Sequence, residues 1–213
     1  MEPMTLPGTY SDDRGSTAVT WTIASSVRPG WDGRFEVTGT VRGVRVSGAH
    51  FGALECDDPP GDLPVNPAGE LARGTVTVQA PAIMYGAVPG QARLVIEFRL
   101  GEGTYEPLVF ARLTVDGAEY SQERDEILEA VLGDLARQIE PHRWECCLTC
   151  LLSDYSPGGV DLMGMRCHRD ARSSYLAVRS KSDYWGVQVT EEVPEFYHCD
   201  SFEPRIPGTG YRG

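Results

Sequence analysis

Hydrophobic and polar residues alternate along most of the first half of the chain. The alternating or strongly apolar stretches are residues 17–23, 35–42, 75–78, 93–100 and 108–115. A period of two, rich in β-branched residues, is typical of strands that bury one face. We therefore predict an antiparallel β-sandwich domain over residues 17–116, with about six to eight strands.

The segments around these stretches contain turn-forming residues. Residues 1–16 are polar and contain Pro, Gly and two adjacent Asp, so we predict a flexible arm. Turn signals follow at Pro29-Gly30 and Pro89-Gly90. From Asp57 to Gly69 the chain contains four Pro and two Gly. This stretch predicts a long loop, or the point where the chain crosses between sheets.

Helical spacing replaces the alternation after residue 116. An apolar stripe includes Ile127, Leu128, Val131, Leu132, Leu135, Ala136 and Ile139. We predict a helix over residues 121–139, with Ser121 as its N-cap and Pro141 just beyond its end. It lies within a bridging segment, residues 117–141.

Residues 142–213 are rich in turns, with short β-like pieces at 174–178 and 184–189. A segment of ~70 residues with so little apolar periodicity usually needs a metal or disulfides to fold. The predicted fold class is therefore mainly β with one amphipathic helix (α+β): an N-terminal antiparallel β-sandwich plus a metal-stapled, loop-rich C-terminal unit.

Five of the six cysteines cluster in this C-terminal unit, a distribution that favours metal binding over a disulfide framework. The Cys147-x2-Cys150 turn can direct two thiolates at one tetrahedral zinc ion. Cys167 and Cys199 follow as isolated residues. We predict a structural Zn²⁺ site with Cys147, Cys150, Cys167 and Cys199 as its ligands.

The pattern leaves alternatives open. His168 adjoins Cys167 and His198 adjoins Cys199, so a site with three Cys and one His is the alternative ligand set. Cys146 offers a second spacing to Cys150. Four cysteines also suit an iron–sulfur cluster, and reduced, buried cysteines can serve simply as small hydrophobic residues.

The net charge of −12 disfavours nucleic acid and acidic membrane surfaces as partners. Residues 1–141 carry −10 of this charge. No apolar run approaches the ~20 residues of a membrane span, and the first residues do not resemble a signal peptide. We therefore predict a cytoplasmic protein. The sequence also contains no phosphate-binding Gly loop, H-E-x-x-H or G-x-S-x-G motif.

The C-terminal unit resembles a known family pattern. The residues that carry the resemblance are Cys147-x2-Cys150, Ser153-Asp154-Tyr155-Ser156, Cys167-x-Arg169 and Phe196-Tyr197-x-Cys199. They resemble an uncharacterised, mostly actinobacterial family of domains of unknown function, over about residues 105–213. The resemblance implies that the four cysteines belong together, and it implies no activity.

Two functions from different classes fit these features. The first is a non-enzymatic, zinc-stabilised binding or regulatory protein of the immunity type, whose acidic N-terminal half recognises a basic protein partner. The alternative is a small metal- or Cys-dependent tailoring or hydrolytic enzyme of bacterial specialised metabolism. In an enzyme, the candidate catalytic residues are Cys146, His168, His198 and Asp154.

Overall fold

The structure, a computed structural model, describes residues 1–26, 34–85, 92–101, 107–125, 127–140, 142–158, 162–209 and 211. The predicted turns at Pro29-Gly30 and Pro89-Gly90, and Pro141, lie outside these residues. The strands are β1 (Met4–Asp12), β2 (Gly15–Ser25), β3 (Phe35–Val41), β4 (Val44–Gly48), β5 (Glu55–Cys56), β6 (Thr75–Pro81), β7 (Ala92–Arg99), β8 (Leu108–Val115), β9 (Ala118–Arg124), β10 (Ser153–Asp154), β11 (Met165–Cys167) and β12 (Glu191–Val193). The α-helices are α1 (Leu128–Gln138), α2 (Arg172–Leu176) and α3 (Lys181–Trp185), and short 3-10 helices span Cys147–Thr149 and Arg169–Ala171.

In the described part of the chain, β1 to β9 form one antiparallel sheet in the order β5-β4-β3-β2-β1-β6-β7-β8-β9. The predominance of β structure is as predicted. Each strand pairs with its neighbours in a single continuous sheet, so the two layers of the predicted sandwich stay a prediction. The sheet also extends beyond the predicted limits of 17–116, from Met4 to Arg124.

The prediction of a flexible arm over residues 1–16 is wrong. Strand β1 occupies the middle of the sheet and pairs with β2 from Met4↔Ile23 to Asp12↔Gly15, and with β6 on its other side. Leu6 and Tyr10 are buried on one face, whereas Thr5 and Pro7 are exposed on the other. This alternation is that of a half-buried strand.

Residues 49–74 carry the chain from β4 to β6 beside β1, and the two-residue strand β5 lies within them at one edge of the sheet. Phe51 packs edge-on against Trp21 at 5.5 Å and stacks with Phe98 at 5.3 Å, between ring centroids. Both partners belong to the buried face of the sheet. The predicted proline-rich loop, residues 57–69, forms the second part of this crossover, and its Leu63 is buried in the main core.

The predicted helix begins later than expected, and Ser121 is not its N-cap. A tight turn at Asp116-Gly117, with φ of 49° and 82°, joins β8 to β9, and Ser121 lies in β9. Helix α1 then runs over Leu128–Gln138 and buries Leu128, Val131, Leu132 and Leu135. It packs on β8 and β9, so it is part of the main core rather than only a bridge.

The C-terminal segment contains a second sheet, β10-β11-β12, and two short helices. The predicted β-like pieces at 174–178 and 184–189 are wrong, because Tyr175 lies on α2 and Tyr184 on α3. A small core joins Leu151, Leu152, Tyr175 and Tyr184 with their neighbours, while Phe196 and Val193 join the main core. None of the helices in the described ranges is long and apolar enough to cross a membrane.

Candidate thiol site

Three chain segments bring the four predicted cysteines into one region. Cys147 N–H donates to the carbonyl of Tyr197 at 2.7 Å, which sets the turn beside the segment that carries Cys199. Cys150 forms a backbone bridge with Pro204. Strand β10, which follows the turn, pairs with β11 through Ser153↔Cys167. The Cys-x2-Cys turn is therefore flanked by both of the other cysteine-bearing segments.

The side chains of these cysteines interact electrostatically. Burial raises the pKa of the Cys147 thiol, and the nearby thiols of Cys150, Cys146, Cys167 and Cys199 raise it further. Burial likewise raises the pKa of Cys150 and of Cys167, and Cys199 adds to both effects. Without a cation, several thiolates so close together in a buried site would be unfavourable.

Hydrogen bonds to sulfur are present at two of the four residues. The Leu152 N–H donates to Cys150 Sγ at 3.4 Å. The Arg169 guanidinium donates to Cys167 Sγ at 3.6 Å, and it also pairs with Glu191. Donors aimed at sulfur favour the thiolate, which is the form that binds metals.

No three His, Cys, Asp or Glu side chains within the described ranges are arranged as a ready metal site. The structure thus places the four predicted cysteine ligands in one region, but their side chains are not arranged to coordinate a metal. Staggered rotation about χ1 can reorient a cysteine sulfur without moving its backbone. The metal-stapled unit stays a prediction.

Cys146 belongs to the main core, as Cys147 and Cys167 do. Its side chain is completely buried, and its Sγ lies 3.8 Å from Thr149 Oγ1. Burial raises the pKa of this thiol to about 12. The sixth cysteine, Cys56, lies in β5 of the large sheet, remote in sequence from the other five.

His168 is enclosed by aromatic rings in the small core. Its Nδ1 lies 2.9 Å from the Gln188 carbonyl and its Nε2 lies 2.8 Å from Tyr184 Oη. The ring stacks on Tyr175 at 4.8 Å, and Tyr175 Oη donates to the buried Asp154 carboxylate at 2.9 Å. Both ring nitrogens are thus engaged away from sulfur, and burial lowers the pKa of His168.

His198 also points to other partners. Its Nε2 lies 3.7 Å from Glu145 Oε2, and its ring is tilted against Phe202 at 6.0 Å. The four candidate catalytic residues therefore lie in three separate environments. Asp154 and His168 share the tyrosine network, Cys146 lies in the main core, and His198 lies beside Glu145.

Glu195 is a buried acid that the sequence pattern did not single out. Its Oε1 accepts hydrogen bonds from Gly164 N–H at 3.0 Å and from Tyr155 Oη at 3.4 Å. Its Oε2 has no hydrogen-bond partner within the described part of the chain. Burial raises the pKa of Glu195 to about 7. Its backbone carbonyl accepts from Leu148 N–H at 2.9 Å, inside the Cys-x2-Cys turn.

Comparison with known families places most of the chain in one of them. The profile of a family of unknown function, DUF6304, matches residues 4–153. This match covers the large sheet, α1 and the Cys-x2-Cys turn, whereas the resemblance described above spans about residues 105–213. The match thus supports membership of an uncharacterised family. It supports neither the C-terminal motif nor an actinobacterial source. No curated protein and no solved structure matches the chain.

Proposed function

We propose a function from the structure itself, because the chain belongs to the DUF6304 family of unknown function and that family supplies no activity. The protein is a non-enzymatic binding module of the regulatory or immunity type, which recognises a protein partner in the cytoplasm. A structural Zn²⁺ held by Cys147, Cys150, Cys167 and Cys199 stabilises its C-terminal unit.

The observation that carries the metal proposal is the backbone pairing that sets the Cys-x2-Cys turn beside the Cys167 and Cys199 segments, where the buried thiols raise one another's pKa. A divalent cation would offset the repulsion of thiolates in so buried a place. Four protein ligands close a tetrahedral zinc and leave no coordination position for a reactive water, which favours a structural role. The hydrogen bonds at both ring nitrogens of His168 support four thiolates over a site with three Cys and His168.

The binding role is favoured over the enzyme alternative by the state of the candidate catalytic residues. A nucleophilic cysteine needs a lowered pKa and a nearby base. Burial instead raises the pKa of Cys146 to about 12. His168 has both ring nitrogens within hydrogen-bond distance of Gln188 and Tyr184, so it is not poised as a base for Cys146.

Metal analysis of the purified 213-residue chain tests the zinc site. We expect one zinc per chain, and we expect a strong chelator to lower the melting temperature, because metal binding of this kind is coupled to folding. Cys167→Ser and Cys199→Ser should each lose metal. Cys146→Ser and Cys56→Ser are matched controls, one buried beside the turn and one in the large sheet, and both should retain it.

Three outcomes contradict the proposal. A metal-free protein whose melting curve ignores the chelator would remove the zinc site. Iron with visible absorbance would replace zinc by an iron–sulfur cluster. A Cys199→Ser protein that stays folded and metal-loaded, but loses a biological activity, would favour a catalytic or exchangeable metal over a structural one.

A further inference from the structure

An open groove of about 960 Å³ lies between α1 and residues 202–207. Apolar groups contribute a large part of its lining, namely Ala130, Ala136, Leu148, Phe202, Pro204 and Ile206. Ile206 is 55% exposed. Exposed aliphatic surface in a concave site is typical of a binding site rather than of an ordinary surface.

The charge of the groove is opposite to that of the protein. Its lining includes four arginines, Arg124, Arg137, Arg143 and Arg205, against two acidic residues, Glu129 and Asp134, in a chain of net charge −12. Asp134 pairs with both Arg124 and Arg137. Arg143 forms no ion pair within the described ranges, and its guanidinium lies 5.9 Å from the centre of the Tyr85 ring.

Tyr85 extends this surface beyond the groove. A second hollow of about 390 Å³ shares Ala136, Arg143 and Thr149 with the first. The Tyr85 ring stands beside Arg143 and is 70% exposed, the largest exposure among the large hydrophobic residues described. Tyrosine and arginine are enriched among the residues that dominate protein–protein binding energy.

Residues 202–207, which form the wall of the groove opposite α1, are hydrogen-bonded to the Cys-x2-Cys turn. Leu151 N–H donates to the Glu203 carbonyl at 2.7 Å, and Arg205 N–H donates to the Thr149 carbonyl at 3.0 Å. The Arg205 guanidinium donates to the Cys150 carbonyl at 2.8 Å. The groove is therefore formed jointly by α1 and by the backbone of the thiol site.

We propose that this groove, with Tyr85 and Arg143 at its end, binds an acidic, amphipathic peptide segment of a protein partner. The partner's apolar side chains would fill the floor beside Leu148 and Ile206. Its carboxylates would pair with Arg143 and Arg137. This inference rests on the proposed binding role but not on the metal.

The occupant follows from charge and shape together. Nucleic acid, a long polyanion, would be repelled by a chain of net charge −12, whereas a short segment need contact only the groove. A volume near the upper limit for small-molecule pockets, with an open rim, suits an extended segment. The basic partner predicted for the acidic N-terminal half would bind a different surface from this groove.

Fluorescence anisotropy with defined peptides tests the proposal. The probe is a short fluorescein-labelled peptide of alternating glutamate and leucine, and its counterpart with lysine in place of glutamate is the charge control. We expect the acidic peptide to bind the purified protein in the micromolar range and the lysine peptide not to bind. The double variant Arg137→Glu/Arg143→Glu should bind the acidic peptide at least about tenfold more weakly. Arg93→Glu, an exposed arginine on β7, is the matched control and should leave binding unchanged.

Four results would overturn the proposal. Equal loss in Arg93→Glu would show a nonspecific charge effect, and binding of both peptides would show no recognition of acids. Absence of binding, or self-association that the double variant abolishes, would exclude the acidic segment as occupant. A zinc-free chain that still binds the acidic peptide would refute only the zinc site, whereas a zinc-loaded chain that binds neither peptide would refute only the groove.

Discussion

Glu195 makes the stability of the protein depend on pH in a direction opposite to that of most carboxylates. Its side chain is completely buried, and burial raises its pKa from 4.5 to about 7, with the Glu129 charge on α1 adding to the effect. The folded protein therefore holds a proton between pH 4.5 and 7 that the unfolded chain releases. The free energy of unfolding falls as pH rises across this window.

The magnitude follows from the size of that shift. At 1.36 kcal/mol per pKa unit, Glu195 costs the folded state up to about 3 kcal/mol above pH 7, relative to pH 4.5. Glu195→Gln removes the charge while keeping an oxygen that can accept from Gly164 N–H and Tyr155 Oη. The variant should match the wild type near pH 4.5 and exceed it by about 3 kcal/mol at pH 8.

Thermal or urea unfolding of both proteins at pH 4.5, 6 and 8 measures this difference. For a protein of this size, the gain at pH 8 corresponds to an increase in melting temperature of about 5–10 °C. Subtracting wild type from variant at each pH cancels the other titrating groups. Glu203→Gln is the control, because Glu203 pairs with Arg172 at 2.8 Å and has a lowered pKa. Its loss should not stabilise the protein at pH 8. A difference between Glu195→Gln and wild type that is the same at pH 4.5 and 8 would refute the reasoning, since Glu195 would then ionise as it does in the unfolded chain.

Two glycine substitutions should change stability with opposite signs, measured by urea denaturation. Gly117→Ala should destabilise by about 1–2 kcal/mol, because φ is +82° there and an added Cβ meets nothing within 4 Å, so only backbone strain acts. Gly133→Ala should stabilise α1 by about 0.5–1 kcal/mol, since the nearest atom to its Cβ is Arg137 Nη1 at 3.7 Å. A stabilised Gly117→Ala protein would contradict the first prediction, and a destabilised Gly133→Ala protein the second.

The local alternation of the chain predicts most of the large sheet but misses its central strand. In β1, Pro7 lies on the exposed face, and Gly8 occupies a buried position where the pattern would place a large apolar residue. The reason for Gly8 is a distant contact. A Cβ there would lie 2.0 Å from the Thr77 carbonyl and 2.6 Å from Trp21 Nε1, which donates to that carbonyl at 3.1 Å. Only tertiary packing makes glycine suitable here, so a local pattern cannot identify the strand.

The start of the helix was predictable in part. Asp-Gly between β-like residues is a strong hairpin signal, because both turn residues adopt positive φ in a type I′ turn. Asp116 and Gly117 do so. This hairpin signal favours a strand over residues 118–124, where β9 lies. Tyr175 and Tyr184, by contrast, are β-favouring residues in helices. Their hydroxyl bonds with Asp154 and His168 are long-range, and they override local propensity.

The proposed metal would link the two hydrophobic cores, because the cysteines that would bind it lie in both. Cys147 and Cys167 pack in the main core, and Cys150 packs in the small one. A zinc that binds all three joins the cores across a boundary otherwise spanned by backbone pairs such as Ser153↔Cys167. The main core includes buried residues from across the large sheet, whereas the small core has seven buried hydrophobic residues in the described part of the chain. Loss of the metal should therefore unfold the small core, with α2 and α3, before it affects the sheet.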